Sequence, residues 1–257
     1  MEVKIGSVPY LNARPLVDWL ERNPREDFTL SYATPSVLIW QLLDGMLDIA
    51  MTSTFSMLEH PELHLLRGLG VTTTGPAWSV RLLSAVPAER IRTVALDASS
   101  RSTVTMARIV LADRYGLAPN YIDHAPDLAG MLAVADAAVL IGDIGITAGG
   151  ESLLDLDLGD EWYALTGLPF YFAGWVARDQ AVLAQAAPLF FEALEHGLAR
   201  LPQIAAEEAV RLGMREERCY DYLAKIMRYH AGAAEGAGLE EFRRRAERLG
   251  LIAASVL

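Results

Sequence analysis

Five short polar segments carry the residue types in this chain that could hold and activate a small anion. They are Ser7-Val8-Pro9-Tyr10-Leu11-Asn12, Thr52-Ser53-Thr54, Gly75-Pro76-Ala77-Trp78-Ser79, Ser99-Ser100-Arg101-Ser102-Thr103 and Gly142-Asp143. Each follows or precedes a run that reads as a β-strand. In open α/β sheets, ligands sit beyond the carboxyl ends of the strands, where helix N-termini offer N–H donors and a partial positive charge. The segment around Arg101 is the best anion site of the five, because it adds a fixed guanidinium to a helix start. Ser, Thr, Asn and Gly also cap helices and form turns, so each segment alone has a structural explanation. Five of them at strand ends favour a shared ligand site.

Other chemistries find little support. The chain has no HExxH, GxSxG, Walker or dinucleotide fingerprint. His60, His64, His124, His196 and His230 are scattered, and the one close pair flanks Pro61, which interrupts a continuous helix. Cys219 is the only cysteine, which excludes an intrachain disulfide and argues for a buried thiol in the helical stretch CYDYLAKIM. Neither a metal nor a cofactor is expected. The formal net charge of −11 argues against nucleic acid as a partner. The one basic cluster, Arg243, Arg244 and Arg245, lies among Glu240, Glu241 and Glu247 and reads as a solvated helix face. There is no signal-peptide pattern at MEVKIGSVPY and no apolar run long enough to span a bilayer. A cytoplasmic protein acting on a small molecule, away from membranes, is the expectation.

The elements that must position these segments can be read from hydrophobic period and punctuation. With 257 residues, 52% of them hydrophobic, the chain can build two lobes. KIGSVPY, FTLSYAT, LDIAMTS, SVRLLSAV, TVALDAS, AAVLIGD and LPFYFAGWVA read as strands. Helices are expected over 35–47 and 102–115, the second closed by Gly116 and Pro119. Such alternation predicts α/β lobes with largely parallel sheets. From Gln180 onward the pattern is helical only, with Leu239, Phe242, Ala246 and Leu249 forming one apolar stripe. The polar break Val86–Val94 and the long strand before the tail mark two crossings between lobes. Residues 1–88 and 175–257 then form lobe one and residues 89–174 an inserted lobe two, with hinges near Val86–Ile91 and Phe172–Trp175 and the ligand cleft between the lobes.

Several of these segments are similar to one family. SVPYLNARPL, the GPxxSV pattern around Ser79, SSRSTV at Ser99–Val104, DAAVLIGD at Asp136–Asp143 and EWYALTGLPFYFAGW at Glu161–Trp175 resemble the MqnA family in order and spacing. The resemblance runs to about residue 178. Thr52–Phe55 and Ala33-Thr34-Pro35 depart from the common versions. The family's sibling lyase opens on a Pro-Cys-Pro-Asn-Asp type segment, which this chain lacks.

The resemblance implies a chorismate dehydratase producing 3-[(1-carboxyvinyl)oxy]benzoate, the first step of the futalosine route to menaquinone. The expected fold is α/β, two-lobed and periplasmic-binding-protein-like (type II), with a helical C-terminal tail. Asn12 and Ser79 match the family's catalytic pair. Tyr10, Thr52, Ser53, Thr54, Ser100, Arg101, Ser102, Thr103, Gly142 and Asp143 are the expected substrate contacts. Neither Asn12 nor Ser79 is a strong base, so the proton acceptor is expected to be the substrate's own enolpyruvyl carboxylate, with Asp143 as the alternative. Two other classes compete: a solute-binding protein for an aromatic or dicarboxylate ligand, against which the missing signal-peptide pattern and Asn12 and Ser79 count, and the effector-sensing domain of a regulator, for which the chain offers no DNA-binding segment.

Overall fold

A computed structural model describes residues 2–97, 100–150 and 152–253. Among the described residues the strands are, in chain order, β1 (Val3–Ser7), β2 (Phe28–Tyr32), β3 (Ile49–Ser53), β4 (His64–Leu65), β5 (Gly68–Thr73), β6 (Arg81–Ser84), β7 (Thr93–Asp97), β8 (Asn120–His124), β9 (Ala137–Leu140), β10 (Leu154–Asp157), β11 (Phe170–Ala177) and β12 (Arg228–Ala231). They form two sheets, and the chain divides into two compact units.

The first unit comprises Met1–Thr72 and Tyr171–Ala233. Its sheet runs β12-β5-β11-β3-β1-β2, with β4 added beside β11. β1 is parallel to β2 and β3, and β11 runs antiparallel to β3. Gly6 lies in β1 because Leu38 and Leu47 pack onto its Cα; an added Cβ would meet their methyls at 2.6 and 2.5 Å. The helix Arg14–Arg22 packs on the helix Gln180–Ala199, where Gly197 admits the Pro15 carbonyl. Helix 35–43 is shorter than its apolar pattern predicts, since Asp44 caps it and Gly45 turns the chain at φ 77°.

The second unit comprises Thr73–Phe170 and Ala234–Leu257. Its sheet runs β10-β6-β9-β7-β8, with β7 parallel to β8 and β9, and β6 antiparallel to both β9 and β10. The helix Arg101–Tyr115 follows its capping signals. Ser100 Oγ accepts the Thr103 N–H at 3.4 Å, and Gly116 ends the helix in the left-handed conformation. The helix Ala233–Arg248 docks here through Phe242, which meets Trp162 and Phe170 edge-on at 5.9 and 4.9 Å. Arg245 and Arg248 both pair with Asp113. The basic cluster is therefore partly an anchor and not only a solvated face.

Three expectations change. The sheets are mixed, because β6 and β11 enter after the chain has come from the other unit and escape the crossover rule that makes βαβ neighbours parallel. The tail after Gln180 is not helical throughout: a π-helical turn at Tyr222–Ile226 leads into β12, which pairs with β5. The division between units falls at 72/73 and 170/171, and again at 233/234, where two crossings near 88 and 174 were expected. The Val86–Val94 break connects β6 to β7 within one sheet, so its polarity reflects a surface connection. Ser79 and the last helix consequently belong to the second unit.

Candidate functional site

In the first unit the carboxyl ends of β1 and β3 lie side by side, with Ile5 opposite Ile49 and Gly6 opposite Ala50. Beyond β1 the chain turns at Tyr10 into a 3-10 helix, Leu11–Ala13, which runs into the helix Arg14–Arg22. Leu11 and Ala13 are buried at 1% and 0% exposure, which holds the half-buried Asn12 between them. The Asn12 side chain makes no hydrogen bond among the described residues. Its amide is thus uncommitted to capping.

At the end of β3 the three hydroxyls differ in their employment. Ser53 Oγ accepts the Phe55 N–H at 3.1 Å and caps the next helix. Thr54 Oγ1 donates to the Tyr171 carbonyl at 2.5 Å. Thr52 Oγ1 is buried without a hydrogen-bond partner, as is Ser7 Oγ at the end of β1. Buried hydroxyls normally have partners, and these two lie toward the adjacent carboxyl ends of β1 and β3. Ser7 was not singled out from sequence, although it opens the first polar segment.

In the second unit the carboxyl ends of β7, β9 and β10 and the start of β6 share one edge: Arg81 faces both Leu140 and Asp157, and Leu96 faces Val139. That edge gathers Ser79, the segment Ser100–Thr103 and Gly142-Asp143, which are far apart in sequence. Ser100, Ser102 and Thr103 are buried, Arg101 is exposed and Asp143 is half-buried in the first turn of the helix Gly142–Thr147. Ala98 and Ser99 lie outside the described residues.

Ser79 is 1% exposed and sits on an unusual loop. Trp78 has φ 56°, the one positive φ of a non-glycine among the described residues, a conformation that costs a bulky side chain energy. Asp157 faces this loop from the end of β10. Its carboxylate accepts the N–H of Ala77 (2.9 and 3.1 Å), Trp78 (2.6 Å), Gly159 (2.9 Å) and Asp160 (3.2 Å). Burial pushes the Asp157 carboxyl above the ordinary carboxylate range, while these N–H donors pull the other way. On the opposite side, Gly145 lies against the Ser79 backbone; an added Cβ would stand 2.2 Å from the Ser79 carbonyl oxygen. Arg81 then binds the Gly145 carbonyl at 3.1 Å, the Ala148 carbonyl and the Asp155 carboxylate. Neither Asp157 nor Gly145 was apparent from sequence. Among the described residues no group of three His, Cys, Asp or Glu side chains could hold a metal ion, and no helix is long and apolar enough to cross a membrane.

These two sheets have the periplasmic-binding-protein-like fold. The structure of protein AF1704 from Archaeoglobus fulgidus matches with a TM-score of 0.79 at 17% identity, covering 98% of each chain. The periplasmic aliphatic sulphonate binding protein SsuA from Escherichia coli matches at 0.68 and 16%, covering 99% of this chain and 94% of its own. At that identity the likeness concerns the fold. The family model described as "Menaquinone biosynthesis" matches residues 3–248, and the chain belongs to that family. A chorismate dehydratase from Thermus thermophilus is 31% identical, over 96% of this chain and 95% of that protein.

Proposed function

We propose that this chain is a hydro-lyase that dehydrates chorismate to 3-[(1-carboxyvinyl)oxy]benzoate in the cytoplasm. The observation that carries this reading is the 31% identity, over nearly the full length of both chains, to a protein named chorismate dehydratase.

The substrate's chemistry sets what the residues must do. The C3 proton of chorismate is vinylogous to the ring carboxylate, so its removal sends charge into that carboxylate. The resulting carbanion expels the C4 hydroxide, which takes up the proton as water, and the ring becomes aromatic. The enzyme's task is to make the C3 proton removable. The substrate's enolpyruvyl carboxylate is the base, and holding an internal base against its proton is an effective source of rate. Asn12, with its uncommitted amide, and Ser79 orient that carboxylate and assist the departing hydroxide. Arg101, Ser102 and Thr103, at a helix N-terminus, receive the ring carboxylate as charge develops; one such donor is worth roughly 10²–10³ in rate. Tyr10, Thr52, Ser53, Thr54, Ser100, Gly142 and Asp143 complete the contacts, with the Thr52 hydroxyl the one of its triplet still lacking a partner.

Incubation of the purified protein with chorismate, followed by ultraviolet absorbance and mass spectrometry, tests the reading. An aromatic product lighter than chorismate by one water is expected. Saturable binding of chorismate with no product would replace the enzyme by a solute-binding protein.

A further inference from the structure

We infer that Asp157 is a positioning residue for Ser79: its carboxylate holds the Ala77–Trp78 backbone in the strained turn from which Ser79 is presented. The inference rests on the dehydratase reading and deepens it.

Asp157 has an ordinary explanation as the N-cap of the helix Leu158–Thr166, since it accepts the N–H of Gly159 and Asp160. A cap accounts for only part of its bonding. Both cap bonds go to Oδ1, whereas Ala77 donates to both oxygens and Trp78 to Oδ2, from 80 and 79 residues away in sequence, and the 2.6 Å bond to Trp78 is the shortest of the set. Trp78 is also where the backbone takes its left-handed turn. A charged acceptor on that N–H is the interaction that can hold the conformation, because hydrogen bonds to a carboxylate are about twice as strong as neutral ones.

The rest of the loop is built to the same end. Thr73 Oγ1 donates to the Pro76 carbonyl at 2.6 Å. Gly159 lets the loop approach the helix start, since a Cβ there would meet the Gly75 carbonyl at 2.6 Å. The Ser79 N–H returns to the Ala77 carbonyl at 2.6 Å. From the far side Gly145 leaves room for the Ser79 carbonyl and no more. Ser79 is thus gripped between a clamped turn and a glycine. A shift of the turn moves its side chain without any contact to the substrate being removed.

Asp157→Asn sets an amide NH2 group against backbone N–H donors, and Asp157→Ser keeps a good helix cap while being too short to clamp the loop. Each should lower kcat by roughly 10–10²-fold, as misplacement by about an ångström does, with KM for chorismate changed by less than about threefold because ground-state contacts remain. The deciding comparison is made in a Ser79→Ala background. If Asp157 acts through Ser79, either Asp157 substitution there should cost less than about threefold; an undiminished 10–10²-fold loss would overturn the inference. Near-normal turnover of Ser79→Ala itself would instead refute the role given to Ser79. Should both Asp157 variants fold poorly, a pH titration of amide resonances in the wild type decides. The Ala77 and Trp78 N–H signals should shift together with protonation of the Asp157 carboxyl, and independent behaviour would overturn the clamp.

Discussion

Asn12 and Ser79 are held by opposite means. Asn12 rides on a short helical turn whose neighbours, Leu11 and Ala13, are buried in the first unit's core, and its own side chain is uncommitted. Ser79 follows a strained turn in the second unit that a half-buried carboxylate ties to a strand end 80 residues further on. The first arrangement is secured by apolar packing, which is non-directional and insensitive to pH. The second is secured by directional bonds to one ionisable group, which fixes geometry closely and titrates. One pair of proposed catalytic residues therefore joins a robust support to a sensitive one.

The largest expected effect is on the residues themselves. Asn12→Ala and Ser79→Ala should each lower product formation at least ~10²-fold with circular dichroism unchanged. Comparable losses would show that both supports serve the same step, and near-normal turnover in either would remove that residue from the site.

The supports should then separate. Leu11→Ala should cost about 2–5 kcal/mol of stability by loss of core packing, read as a lower denaturation midpoint. Asp157→Asn should leave the midpoint much closer to wild type while turnover falls. A reversed pattern would mean that the two regions had been assigned the wrong kind of support.

Acid should affect the two regions differently. Because burial raises the Asp157 carboxyl above its unfolded-state value, the folded state binds that proton more tightly. This group therefore adds stability as pH falls through its folded value and withholds it at higher pH. Asp160, raised in turn by burial, by the Asp157 charge and by Glu161, acts in the same direction. Protonation nevertheless weakens the clamp, so kcat should decline on the acid side at a pH where the melting temperature is still maintained. Asp157→Asn should abolish that acid limb. Parallel loss of kcat and melting temperature in the wild type would count against the distinction.

The smallest expected effect is at Asp143, two residues before Gly145 on the helix beside Ser79. If the substrate supplies its own base, Asp143→Asn should cost less than about tenfold, whereas loss of a positioned general base costs ~10²–10⁴-fold. Single-turnover kinetics would discriminate between these outcomes.

Much of this was legible in the chain alone, for local reasons. Ser100 and Gly116 bracket their helix in sequence as in space, and β1, β3, β7 and β9 lie in the apolar runs read as strands, with the polar segments at their carboxyl ends. Strands that offered no apolar run escaped notice. β8, with the sequence NYIDH, and β10, with LDLD, are outermost in their sheet and need only one partner. β5 holds Gly68 and Gly70, and Gly70 is required because the Tyr171 ring would lie 2.3 Å from a Cβ there.

By itself, then, the sequence determined the alternation of strands and helices, the caps and the family to which the residues around Asn12 and Ser79 belong, all of which depend on neighbours a few positions apart. Tertiary structure alone decided that Ser79 sits in the second unit, that Asp157 serves its loop as well as its own helix, and that Gly145 must lack a side chain. Each of these depends on two stretches at least 60 residues apart meeting at hydrogen-bonding or van der Waals distance. An aspartate that caps and an aspartate that clamps are spelled alike, and only the N–H groups brought to its second oxygen tell them apart.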